Sequence, residues 1–336
     1  MSDHAHVRVP ATSANLGPGY DCAGLSLGLY DDLSVELLDS PRVEVSVTGE
    51  GADTVPTDDS HLVMRAIARG YREVGRELPG MRLSCQNRIP HGRGLGSSAA
   101  AIVGGLSLAR ELLADGNRVL SEGRMLEIAT EIEGHPDNVS AAILGGLTIA
   151  WTLDGEPINT VATTGSGEQG DPGERSASRA LRLTPNARLQ PVVAIPSKAL
   201  ATEQARGLLP ATVPHALAVA NGARTALLLS ALTSHVELLM SATHDVLHQH
   251  FRRFAYPQAY ALMMSLRSRG IPAMISGAGP SVLALGVCDT ALDGLAVAQE
   301  MNTAASASEE IAKAEFEVLA APVDLGGVIA VHPGET

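Results

Sequence analysis

Three stretches of this chain carry residues that could do chemistry. Residues 90–101 read PHGRGLGSSAAA, between a strand-like and a helix-like segment. Gly92, Gly94 and Gly96 let the backbone come close to a ligand and take positive φ. Ser97 or Ser98 can cap the helix that follows. The free N–H groups of its first turn, with the positive end of the helix dipole, form an anion site that needs no lysine. A glycine cluster can also serve only to turn the chain, and the spacing is not the GxGxxG dinucleotide fingerprint. Further on, Glu131 and Glu133 end a helical segment before Gly134. His135, Pro136, Asp137 and Asn138 then form a tight polar turn, a pattern that on its own is more often structural. Magnesium prefers hard oxygens and takes only one or two from protein. The hydroxyl of Ser98 and a carboxylate within 131–137 offer them.

Composition narrows the chemistry. Of 24 basic side chains only Lys198 and Lys313 are lysines, and neither lies in a glycine-rich loop. A P-loop and a Schiff-base mechanism both require a lysine in place, so neither is expected. The net charge of −13 argues against nucleic-acid binding, which calls for a basic face. Cys22, Cys85 and Cys288 form no CxxC pair, so neither a zinc site nor a redox dithiol is expected, and the sparse count fits a reducing compartment. The N-terminus has no apolar signal core, and the apolar runs near 99–108 and 141–151 are too short for a membrane span. These features lead us to expect a cytoplasmic protein with no membrane partner.

The elements that must position these residues follow from pattern. A short strand at 7–10 enters a turn-rich stretch, ATSANLGPGYD, at 11–21. Residues 33–38 and 43–48 alternate as antiparallel strands do. Helical rhythm covers 60–76, 97–113 and 124–133, with a strand at 81–89. Residues 163–178 hold almost no apolar side chain and read as a surface loop or linker. Beyond it we expect a strand at 189–195, helices around 201–208, 215–232 and 259–269, and strands at 271–275, 282–286 and 327–332. Residues 309–319 give mixed signals. A second glycine-rich turn, SGAGPS, occupies 276–281. Mixed strands and helices without βαβ rhythm suggest α+β.

Taken together, PHGRGLGSSAAA resembles the phosphate-binding loop of the superfamily that includes galactokinase, homoserine kinase, mevalonate kinase and phosphomevalonate kinase (GHMP). ISGAGPS at 275–281 resembles that superfamily's third motif. VPATSANLGPGYD at 9–21 closely resembles the first motif of the homoserine kinase family. The likeness runs in order from Val7 to about Gly286.

The resemblance implies a two-domain GHMP kinase fold. Residues 1–162 would form a ribosomal-protein-S5-domain-2-like ATP-binding domain, 163–180 a linker, and 181–336 a ferredoxin-like α+β sandwich on the substrate side. It implies ATP and Mg2+ as cofactors and L-homoserine as substrate, phosphorylated on its side-chain hydroxyl on the way to threonine. A homodimer is compatible with it. The phosphates would meet Pro90, His91, Gly92, Arg93, Gly94, Leu95, Gly96, Ser97, Ser98, Ala99 and Ala100. The metal would be held by Ser98 and Glu133, with Glu131 as the fallback. Asn15, Asp21, His135, Asn138, Arg206, Arg252 and Gly277 would bind the amino acid. Asn138, Asp137, His135 and Arg252 would serve catalysis. Asp137 matches an aspartate proposed as a base in mevalonate kinase relatives, but their partner lysine has no equivalent within 10–21. Tyr20 replaces a usual phenylalanine, and His61 a common asparagine near the adenine pocket. Another GHMP kinase, or a non-catalytic binder on the same fold, would share these motifs.

Overall fold

The structure is a computed structural model, and it describes residues 3–153, 177–200 and 205–332. Strands β1 (His4–Asn15) and β2 (Gly19–Leu37) pair antiparallel along nearly their whole length, from His4 opposite Glu36 to Asn15 opposite Gly19. The segment 11–21, expected as a loop, is therefore mostly strand, and only 16–18 turn. The pairing partners lie in β2, out of reach of a local reading, and they override the turn residues. β3 (Val43–Gly49) runs parallel to β4 (Met81–Asn87), which pairs antiparallel with β2. β5 (Leu147–Leu153) joins β2 at Ala23–Leu25, and β6 (Ala177–Leu183) joins β5.

Four helices back this sheet. α1 (Leu62–Glu73) is amphipathic and is capped by His61, whose Nδ1 accepts from the Val63 N–H. α2 (Ser97–Leu112) is apolar on nearly every side, burying Ile102, Val103, Leu106 and Leu108 among others, as an alanine-rich central helix should. α3 (Glu122–Glu133) starts at Ser121, whose hydroxyl accepts from Arg124 N–H, and ends at Gly134 with φ 90°. α4 (Pro136–Leu144) begins with proline at its first position and Asp137 in its first turn. The HPDN stretch is thus a helix start rather than a free loop, as proline at N1 favours.

A second sheet, ordered β10-β7-β9-β8, holds β7 (Leu189–Ile195), β8 (Ala273–Ile275), β9 (Val282–Val287) and β10 (Glu317–Ala320). Between β7 and β8 lie α5 (His215–Thr233) and α6 (Pro257–Ser268); α7 (Gly294–Ala305) follows β9. Leu262, Leu266, Val297 and Met301 pack on Val192, Ala194, Ile275 and Val282 as a core of their own. The mixed signals at 309–319 resolve into a short helix, Glu309–Ala312, followed by β10. α7 had no forecast from pattern.

The expected domain limits at 162 and 181 differ from the sheet topology. β6 reaches Leu183 in the first sheet, and the last strand, β11 (Ile329–Ala330), returns to pair with β1. Most of the linker expected at 163–178 lies outside the described residues, as do 201–204 of the helix expected at 201–208. Among the described residues one helix, α5, is long and apolar enough to cross a membrane by length and composition. It buries Asn221, Leu228, Ala231 and Leu232 against this fold, and both the Asn221 amide and the Thr225 hydroxyl donate to the Pro18 carbonyl.

Candidate active site

The glycine loop after β4 delivers the chain to the N-terminus of α2. Gly96, the N-cap, has φ 73°, and a Cβ there would stand 2.0 Å from Thr12 Oγ1. Gly94 has φ 72°, and its Cβ would stand 2.2 Å from the Ser276 carbonyl. Only glycine fits either place. Serine capping, expected of Ser97 or Ser98, is not used: the cap makes no side-chain bond. The first intrahelical bond runs from Ala100 N–H to Gly96. The N–H groups of Ser97, Ser98 and Ala99 precede it and remain for an anion at the positive helix end.

One cavity gathers Asn15, Asp21, Gly92, Gly94, Gly96, Ser97, Ser98, Glu133, His135, Asp137, Asn138, Arg206, Arg252 and Gly277. Residues from six separate stretches of sequence thus converge on one cavity. Ser98 donates to Glu133 Oε2 at 2.7 Å. Burial raises the Glu133 carboxyl above its ordinary value, against the opposing pull of the Ser98 hydrogen bond. The end of α3 and the turn at Gly134 aim this carboxylate back toward the start of α2. Glu131 instead faces Arg69, 3.2 Å away, and is not in the cavity.

His135 and Asp137 form a pair, with Nδ1 2.7 Å from Oδ1. Burial opposes the imidazolium, but the hydrogen bond and charge of Asp137, together with Glu133, raise the His135 pKa overall. Asp137 Oδ1 also accepts from Asn138 N–H at 2.7 Å, and Thr12 donates to Asn138 Oδ1 at 2.9 Å. The Asn138 amide is held from two sides. Asn15 donates to the Gly277 carbonyl and accepts from Asp21 N–H, tying the first motif to the third.

The two arginines differ. Arg206 is engaged by Asp21 through both its terminal nitrogens, at 3.0 and 2.7 Å. Arg252 is 1% exposed, has no carboxylate partner among the described residues, and leaves Nε without a bond. Both donate to the Tyr20 hydroxyl at 3.1 Å and lie over its ring. Burial, with Asp137 and Asp21, pushes the nearby Cys22 thiol up to about 11, so it stays neutral.

Several expected phosphate contacts lie elsewhere. Arg93 donates to the backbone carbonyls of His91, Pro196 and Ser197 and braces the loop against the second sheet. Leu95 and the side chains of Ala99 and Ala100 are in the core. Pro90 is outside the cavity. His91 lines a second, more apolar cavity with Asp31, Val55, Pro56, His61 and Leu62, which shares Ser97 and Ser98 with the first. Thr12 and Tyr20 were missed as functional residues. Both sit inside the first motif, and only the unusual tyrosine gave a signal.

The family profile of the GHMP kinases N terminal domain matches residues 61–146. The homoserine kinase of Streptomyces avermitilis is 50% identical over 279 residues, 83% of this chain and 84% of that protein. That of Streptomyces coelicolor is 48% identical over 285 residues, 85% of each. The chain belongs to the homoserine kinase family. Among solved structures, a homoserine kinase from Cytophaga hutchinsonii covers 98% of both chains with a TM-score of 0.78 at 24% identity. A Staphylococcus aureus mevalonate diphosphate decarboxylase shares the fold at a TM-score of 0.61 and 13% identity. The α+β GHMP kinase fold expected from the motifs is thereby established, and with it an ATP-dependent kinase. A homoserine kinase must hold a polyphosphate and a zwitterionic amino acid side by side. The α2 N-terminus and the arginines lie in one cavity as that task demands.

Proposed function

We propose that the protein transfers the γ-phosphoryl group of ATP to the side-chain hydroxyl of L-homoserine in the cytoplasm, giving O-phospho-L-homoserine. The observation that carries this is the buried Arg252, without a carboxylate partner among the described residues, in the same cavity as the helix N-terminus. A buried guanidinium is costly unless paired, and a substrate carboxylate would pair it through two parallel hydrogen bonds. Asp21 beside Arg206 then meets the ammonium. The second cavity, joined through Ser97 and Ser98, takes the adenosine.

Ser98 and Glu133 present two hard oxygens 2.7 Å apart at the phosphate end, which suits Mg2+. Among the described residues no cluster of three ligating side chains exists. Mg2+ bound there would neutralise charge on the transferring phosphoryl group.

Asp137 Oδ1 is occupied by His135 and Asn138 N–H, so we assign the pair to positioning: it fixes Asn138, which orients the hydroxyl. The hydroxyl proton passes to a phosphoryl oxygen. Phosphoryl transfer proceeds largely by positioning and electrostatic stabilisation, so no separate base is required. A coupled assay for ADP release with L-homoserine, mevalonate and other hydroxyl acceptors tests the proposal. Homoserine should be preferred by orders of magnitude in kcat/KM. No turnover with homoserine would overturn the assignment.

A further inference from the structure

The two lysines of this chain, 115 positions apart, meet at one place outside the catalytic cavity. Lys198 and Lys313 both line a separate hollow of about 400 Å³ on the second domain. Its walls mix polar and apolar surface and are partly aromatic, including Tyr256, Ala259, Pro280 and Phe316. Both lysines are exposed at its rim, and Lys313 pairs with Glu310 at 3.3 Å. In a protein of net charge −13, a hollow that joins two flexible ammonium groups to an aromatic wall is locally suited to an anion.

The walls of this hollow also support the phosphate loop. Residues 196–200 run between the two sites. Ser197 N–H donates to the Ala314 carbonyl on the hollow's side, and Leu200 N–H donates to the Gly92 carbonyl on the loop's side. Arg93 holds the carbonyls of Pro196 and Ser197. Pro280 belongs to the turn in which Ser276 donates to the Gly94 carbonyl. A ligand wedged between Lys198, Pro280 and Phe316 would press on the two segments that fix the glycine loop.

We propose that this hollow is a second ligand site, for a small organic anion with a flat apolar body, and that filling it changes ATP binding through the phosphate loop. The anionic head meets Lys198 and Lys313, and the body lies against Tyr256 and Phe316. The effect on ATP rests on the kinase proposal above; ligand binding itself does not.

Anilinonaphthalene sulfonate, an aromatic anion, is a direct probe. Fluorescence titration of the full-length protein saturated with ATP, which blocks the adenosine cavity, should give saturable binding at one site. The double variant Lys198→Ala, Lys313→Ala changes only exposed side chains and should fold normally. It should bind the probe about tenfold more weakly, the loss expected for two solvent-facing ion pairs. The KM for ATP should shift with probe in the wild-type protein and not in the variant. Absent binding, or equal affinity in the variant, would overturn the site. Binding with an unmoved KM would overturn the coupling. The fluorescence arm needs no turnover, so it stands or falls apart from the kinase activity.

Discussion

Arg252 invites a substitution whose effects on stability and on function have opposite signs. Arg252→Met keeps an unbranched apolar stem and removes the guanidinium with its charge. The arginine gives up its hydration to sit 1% exposed, and Nε has no acceptor. The effective penalty for burying such an ion is several kcal/mol. Against this stand one charged hydrogen bond to Tyr20, worth about 1.5–3 kcal/mol, and its position 5.1 Å over the tyrosine ring, worth about 1–2 kcal/mol. The difference leaves the ligand-free variant more stable by about 1 kcal/mol, a rise in Tm of about 2 °C. For homoserine the change removes two charge-assisted hydrogen bonds of about 1.5–3 kcal/mol each, or about two to four orders of magnitude in kcat/KM.

Thermal melts of the ligand-free proteins and a coupled assay at varied homoserine and varied ATP measure both effects. The KM for ATP should change less than about threefold, because the proposed phosphate site is the α2 N-terminus. The homoserine-dependent rise in Tm seen in the parent should vanish. A large fall in Tm would show that Arg252 is a structural cation. Equal losses for ATP and homoserine would show that it does not discriminate between the two ligands. Either result refutes the reasoning.

Three further substitutions test other parts of the site. Glu133→Gln should raise the Mg2+ concentration for half-maximal rate at least about tenfold, read from a magnesium titration of ADP release. Because burial raises the Glu133 pKa, its contribution to stability is present in acid and lost as pH rises, so the glutamine variant should be more stable near neutrality and equal to the parent at low pH. Asp31, pushed up from 3.8 to about 6 by burial, follows the same sign: its contribution is complete below pH 3.8 and is lost as pH rises through about 6. Asp31→Asn, whose carbonyl can still accept from Arg88 and Ile89 N–H, should gain about 3 kcal/mol in urea denaturation at alkaline pH and nothing in acid; a pH-independent difference would contradict this. Gly96→Ala adds a Cβ 2.0 Å from Thr12 Oγ1 at a left-handed φ, and kcat/KM for ATP should drop about a hundredfold.

The chemistry of this protein was more legible in its sequence than its topology. Glycines that can take positive φ and serines opening a helix are local signatures that pointed to an anion site at α2, whereas the choice of Ser98 and Glu133 for the metal came from the family resemblance. The strands at 11–21 were not legible, because their partners lie in β2 and only pairing overrides the turn residues. The return of β11 to β1 was invisible for the same reason. Arg93 looked like a phosphate ligand by its place among the glycines, yet its fork is used on carbonyls of a segment a hundred positions away. The contrast between Arg206, satisfied by Asp21, and Arg252, buried without a carboxylate, could not be read from residue type at all.

That contrast also shows why the absence of a lysine from the glycine loop and a net charge of −13 do not prevent this chain from holding a polyanion. The cavity brings together three carboxylates, Asp21, Glu133 and Asp137, with Arg206, Arg252 and His135, whose pKa Asp137 and Glu133 raise against burial. Its side chains nearly cancel, so the attraction for ATP cannot come from them alone. In the proposed complex it comes from the N–H groups at the start of α2 and from Mg2+ held at Ser98 and Glu133. A mobile lysine would add a positive charge but also a counter-ion to carry and a side chain to order. Backbone donors fixed by Gly94 and Gly96 are already ordered when ATP arrives. The site therefore depends on the geometry of its glycines more than on the charge of any one side chain, so Gly96→Ala should harm ATP use more than replacing Arg93, whose bonds only brace the loop.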